Sequence, residues 1–252
     1  MRPQIIFVHG MWCRPSVWAQ WQGEFEAAGY PCTSIALPGH AEGERDSALE
    51  NKGIDDYVDA VAKIAAQFER PVVIGHSMGG FIAQKLASRG VLRAAVLVNS
   101  ATPAPVFPLR AKMLPFTTRP FLTWGLWRKS FRILRREADY LVFNKMPETG
   151  RAELFGQLIA ESGRVAYQLG FGPLNLAGSN RVDRDAINCP MLFLAGAQDN
   201  IIPVGASRSM AAWYGKRLDY REYPEHGHWM LDEPGWKDRV ADSLAWLEPV
   251  CA

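Results

Sequence analysis

The chain has 252 residues, 48% of them hydrophobic and 21% charged, with a formal net charge of +2. A chain of that size buries one large core, with room for an inserted subdomain, rather than folding as two independent domains. Its balanced charge gives no field to gather nucleic acid, and Cys13, Cys32, Cys189 and Cys251 lack both disulfide-scaffold density and metal-ligand spacing, so scattered reduced thiols and no metal are expected.

The N-terminus, "MRPQIIFVHG", soon enters an apolar run too short for a signal-peptide core or a membrane span, which implies a cytoplasmic protein. That run, residues 4–10, is the first expected strand. Similar runs recur at 32–37 ("CTSIAL"), 71–77 ("PVVIGHS"), 93–100 ("RAAVLVNS"), 191–196 ("MLFLAG") and 218–223 ("LDYREY"). Nearly continuous apolar character suits strands buried on both faces of a parallel sheet. Residues 16–29, 54–68 and 81–90 carry apolar side chains at spacings of three and four, and two of these segments end on Gly as a helix stop. Right-handed crossovers then give an α/β fold, a doubly wound, mostly parallel sheet of about six strands.

One interval breaks the alternation. The stretch between the strands at 93–100 and 191–196 is far longer than a crossover needs, so residues 105–186 are read as an inserted, mainly helical cap on a core made of 1–104 and 187–252. Between Thr102 and Arg136 stand eight Lys or Arg and no Asp or Glu, interleaved with Phe107, Phe116, Phe121, Trp124, Trp127 and Phe131. At helical spacing Phe121, Trp124, Phe131 and Leu134 share a face while Arg128, Lys129, Arg132 and Arg136 stay solvated, as in a lid over an acyl pocket. The pattern also suits a membrane surface or plain packing of cap on core. A short basic cluster without a recognition module does not suit nucleic acid.

The chemistry gathers where strands end. "Gly75-His76-Ser77-Met78-Gly79" follows a strand and opens a helix, the context in which G-x-S-x-G forms a strained turn that exposes a Ser hydroxyl. An alcohol holds its proton too tightly to attack at neutral pH, so it needs a base, and the base needs an orienting acid. Asp199, in "LFLAGAQDNIIP", lies just after a strand; "YPEHGHWMLDEP" offers His226 and His228 after the last strand. The order Ser, Asp, His excludes the chain orders of chymotrypsin-like and subtilisin-like enzymes. Charge developing on a tetrahedral oxyanion needs fixed donors: the Met78 N–H at the helix start, and the Met11 N–H in the loop after the first strand. His9 is read as a structural hydrogen-bonding residue.

Together "VHGMW", "LPGH" (37–40), "GHSMGG", "GAQDNIIP" and "HGHW" resemble the α/β-hydrolase family over almost the whole chain. The resemblance implies Ser77 as nucleophile, Asp199 as acid and, because the family places its base in a late "G-H" pair, His228 as base. Ser rather than Asp at the elbow argues against epoxide opening and dehalogenation. The expected activity is cofactor-free cleavage of a small carboxylic ester with an apolar acyl part. A thioesterase, lactonase, amidase or carbon–carbon hydrolase would use the same machinery, and a small-ligand receptor on a hydrolase scaffold is the reading from a different class.

Overall fold

The structure is a computed structural model that describes residues 2–106, 123–170, 175 and 177–251. Its strands, in chain order, are β1 (Ile5–Val8), β2 (Cys32–Ile35), β3 (Val72–His76), β4 (Ala94–Val98), β5 (Ser130–Phe131), β6 (Glu161–Ser162), β7 (Met191–Gly196) and β8 (Leu218–Tyr223). Six of them form one sheet in the order β2-β1-β3-β4-β7-β8, and every neighbouring pair in it is parallel. The order reverses between β1 and β3, the kind of switch point beside which open α/β sheets bind ligands, beyond the carboxyl ends of their strands.

Successive strand residues point to opposite faces, and this divides the core in two. Ile6, Val8, Val73, Leu97 and Phe193 pack under helices α2 (Ile54–Ala65) and α3 (Met78–Ser88). Ile5, Phe7, Val72, Ile74 and Leu192 pack under α1 (Ala19–Ala27) and the C-terminal helix Trp236–Cys251. The buried runs in the sequence are therefore two alternating sets, each with its own layer of helices.

Helix α3 begins at Met78, three residues before the periodic segment expected from 81. The reason is contact: a Cβ on Gly79 would strike the Val8 carbonyl oxygen, and one on Gly75 would strike the Gly79 carbonyl oxygen. Glycines that look like a loop in sequence let the first turn of α3 lie directly on β1 and β3.

Between β4 and β7, the described residues form helices Arg135–Leu141, Glu148–Gln157 and Gly163–Gly170, with β5 and β6 paired antiparallel. The shared helical face expected for Phe121, Trp124, Phe131 and Leu134 does not form among the last three, which are the described ones. Gly125 (φ 78) turns the chain, Phe131 belongs to β5, and the following helix starts only at Arg135. Trp124 is 86% exposed, while Phe107, Phe116 and Phe121 lie outside the described residues. Among the described residues, no helix is long and apolar enough to cross a membrane.

Gly79→Ala forces backbone atoms apart in the centre of the molecule. It is expected to destabilise the protein by about 1–3 kcal/mol or more, read as a lower urea midpoint; an unchanged midpoint would show that the contact between α3 and β1 is not tight.

Candidate active site

Parallel strands bring all their carboxyl ends to one edge, and the candidate residues lie there. Met11 follows β1, Ser77 follows β3, Asp199 follows β7 and His228 follows β8. Ser77 has φ 53 and ψ −114, a conformation that costs a residue with a Cβ about 1–3 kcal/mol. It is held by its N–H donating to the Val98 carbonyl at 2.9 Å, while its own carbonyl accepts from Ala101 N–H at 3.0 Å. Ser77 keeps 8% of its surface exposed, Asp199 6% and His228 2%.

His228 Nδ1–H donates to Asp199 Oδ2 at 2.7 Å. The other carboxylate oxygen, Oδ1, accepts from Ile201 N–H at 2.7 Å and Ile202 N–H at 2.8 Å, which fixes the plane of the group. Donation from Nδ1 leaves the lone pair of the His228 ring on Nε2. Met11, Trp12, Ser77, Leu158, His228 and Trp229 line one small cavity of about 10 Å³, close to the room one water needs. A Cβ on Gly10 would lie 3.1 Å from Ser77 Cβ, so the loop after β1 presses against the Ser77 turn. Among the described residues, neither the Met11 nor the Met78 amide N–H has a hydrogen-bond partner.

The two histidines of "HGH" separate cleanly. His226 Nδ1 pairs with Glu233 Oε2 at 3.1 Å, away from Asp199. Glu233 is buried, and it also accepts from Gly227 N–H at 2.8 Å and Trp229 N–H at 3.2 Å. Its carboxylate thus gathers the backbone on both sides of His228. Asn99 (φ 42) completes the support: Nδ2 donates to the Gly227 carbonyl at 2.7 Å and the His228 carbonyl at 3.0 Å, and Oδ1 accepts from Gly196 N–H at 2.7 Å. His76 Nε2–H donates to the His228 carbonyl at 2.9 Å. Burial, with His228 beside it, pulls the His76 imidazole from an ordinary 6.5 down to about 3, so it stays neutral.

Asn99, His76 and Glu233 have no sequence signal of their own; each acts on backbone far away in the chain or folded back on itself. His9 behaves as a structural residue, its Nδ1–H donating to the Gly10 carbonyl at 2.9 Å and its Nε2 accepting from Leu37 N–H at 3.3 Å. Among the described residues, no group of three or more His, Cys, Asp or Glu could hold a metal ion, and all four cysteines are free thiols.

A family model described as "Alpha/beta hydrolase family" matches residues 5–242. The 2-hydroxymuconate semialdehyde hydrolase of Pseudomonas sp. (strain CF600) is 26% identical over 258 residues, covering 96% of this chain and 86% of that protein. The pimeloyl-[acyl-carrier protein] methyl ester esterase of Chromobacterium violaceum is 28% identical over 240 residues, covering 90% of this chain and 87% of that protein. Among solved structures, a monoacylglycerol lipase of Paleococcus ferrophilus superposes with a TM-score of 0.75 at 18% identity, over 98% of this chain and 94% of that one. A methylesterase from Arabidopsis superposes with a TM-score of 0.74 at 15% identity, over 97% and 98% respectively.

Glu233→Gln would turn an amide N–H₂ toward backbone donors that now meet a carboxylate oxygen. A loss of about 1–3 kcal/mol is expected from a buried donor left facing donors, measured by urea unfolding; wild-type stability would mean that the carboxylate does not hold the loop.

Proposed function

We propose, for a chain that belongs to the alpha/beta hydrolase family, that it is a serine hydrolase cleaving small carboxylic esters, with Ser77 as nucleophile, His228 as base and Asp199 as orienting acid. The observation that carries this reading is the pairing of a strained Ser77 with a His228 ring whose Nδ1–H is committed to Asp199, both lining one cavity. The fold alone would not choose the chemistry.

In the first half-reaction Ser77 Oγ attacks the ester carbonyl carbon and passes its proton to His228 Nε2. The carbonyl oxygen becomes an oxyanion, met by the Met11 and Met78 N–H groups, which need not reorganise. As the carbon–oxygen bond to the alcohol breaks, His228 gives the proton to the departing oxygen, leaving acyl-Ser77. Water then attacks that acyl carbon, its proton goes to His228, and the proton returns to Ser77 Oγ as the acid leaves. No cofactor enters any of these steps. Asp199 balances the imidazolium that forms in both halves and keeps the ring in its useful tautomer.

The same reading takes residues 105–186 as a cap over the core, since Val142 and Leu158 contribute to the wall of the cavity beside Ser77. It gives the substrate an apolar acyl part, because the cap cluster around Ile133, Leu141, Val142 and Phe143 is continuous with Trp229, next to the base. Ester cleavage is favoured within the family by the esterase among the relatives of this chain.

Ser77→Ala is expected to abolish turnover of p-nitrophenyl esters without changing the unfolding midpoint. Asp199→Asn, which leaves the contacts but favours the wrong tautomer, is expected to lower kcat by about 10⁴. Steady-state kinetics on both variants across a chain-length series checks this, and undiminished turnover by Ser77→Ala would remove the assignment.

A further inference from the structure

Besides His226 and Glu233, another buried titratable pair lies beside the site and has no part in the proton transfers above. His40, in the turn after β2, has an oxygen at each ring nitrogen: the Pro38 carbonyl 3.2 Å from Nδ1 and Glu161 Oε2 3.1 Å from Nε2. A neutral imidazole carries one N–H, so it would set a lone pair against one of these oxygens. Beside an ionised Glu161, only the imidazolium satisfies both. Glu161 belongs to β6, in the segment between β4 and β7, and neither side chain of the pair has any exposed surface. Its Oε1 accepts from Tyr57 Oη–H of α2 at 2.8 Å and from Ser162 N–H at 2.6 Å.

The pair grips both sides of the loop that carries Met11. On one side, the His9 ring packs on His40 with centroids 4.8 Å apart. On the other, Ile159 N–H, two residues before Glu161, donates to the Trp12 carbonyl at 2.8 Å. Phe131, the register partner of Glu161, sets its ring edge-on to Trp12 at 5.7 Å. Leu158 and Trp12 are both walls of the cavity that holds Ser77. We propose that His40 and Glu161 form a charged clasp between the core and the segment 158–162, and that both are positioning residues that hold the Met11–Trp12 loop in place against Ser77. The inference rests on the reading of Met11 N–H as an oxyanion donor.

The groups around His40 agree with a single positive charge there. His9, from the loop after β1, is held neutral: burial, then the charge on His40, pulls it down to about 3. Tyr57 from α2 and Cys13 from the β1 loop both have their proton loss pushed up by burial and by Glu161, and the Asp56 carboxylate adds to the effect on Tyr57. For His40 burial works against the charge, but Glu161 and the hydrogen bonds outweigh it and raise the imidazole above its ordinary 6.5. A raised folded-state value means that the clasp is fully charged below the ordinary imidazole range and is lost as pH rises through the folded value.

Two measurements test this. In the wild-type protein, ¹⁵N NMR of the histidine rings is expected to show His40 doubly protonated at pH 7 while His9 and His76 are neutral. In turnover of p-nitrophenyl acetate, Glu161→Gln is expected to lower kcat about tenfold, part of what losing one oxyanion donor costs, with KM changed less than about twofold. The alkaline limb of kcat is expected to move to lower pH in that variant, because His40 gives up its proton more readily without the carboxylate. Tyr57→Phe, which keeps the charged pair, is expected to leave the limb in place. A neutral His40 at pH 7, or a Glu161→Gln enzyme with the wild-type kcat and pH profile, overturns the clasp. If Glu161→Gln does not fold, the ring titration of the wild type decides. Failure of the nucleophile assignment would appear separately, as activity retained by Ser77→Ala.

Discussion

The molecule is organised around one close approach. At the start of α3 the backbone lies directly against β1 and β3, at Gly75 and Gly79, where a single methyl group would strike the carbonyl oxygens of Gly79 and Val8. With so little room, the chain can leave β3 and enter α3 only through a sharp turn, and Ser77 takes it at φ 53. The side chain at such a turn projects from the edge of the sheet. The strain persists because the flanking strand is fully buried, the first turns of the helix are buried as well, and both fix their own positions.

Everything else at the site is brought to that fixed point by buried polar groups. Asn99 and His76 both reach the His228 carbonyl, from the ends of two neighbouring strands, and Glu233 closes the loop from behind. The bonds from Asn99 and His76 come from segments far away in sequence, so the position of His228 is set by the packed core as well as by its own loop. Asp199 is held in the same manner, by two backbone N–H groups of the turn it begins. The opposite wall, made by the Met11–Trp12 loop and residues 158–162, is tied through a buried ion pair. Such a pair contributes little net stability because both charges lose their water, yet breaking one partner leaves the other charge uncompensated. That asymmetry suits it to hold a geometry rather than to stabilise a fold.

Much of this was legible in the sequence where local pattern and physical cause coincide. The strands at 191–196 and 218–223 have the expected limits; the first is an apolar run buried throughout, which leaves few alternatives. Strand ends and chain order single out Ser77 and Asp199 and leave His226 and His228 both open, the family resemblance points to His228, and Ser77, Asp199 and His228 do lie at one edge. The early start of α3 was hidden because Gly79 and Gly80 have poor helix propensity, and tertiary contact overrides it. From Trp124 to Leu134 helical spacing is misleading, because Gly125 turns the chain and β5 pairs with β6. Asn99 and the His40–Glu161 pair were invisible for a different reason: their partners lie across the fold, and no spacing along the chain reports that. Glu233 bonds within its own loop, but nothing in the sequence shows that the loop folds back on it.

The central claim is that Ser77 is an alcohol made reactive by His228. Treating the protein with an activated fluorophosphonate and mapping the adduct by mass spectrometry tests it most directly, with His228→Ala run alongside. The account predicts about one phosphonyl group per chain, on Ser77, formed at least about 10³ times more slowly without the imidazole. Modification at another residue, or an equal rate in His228→Ala, would contradict it.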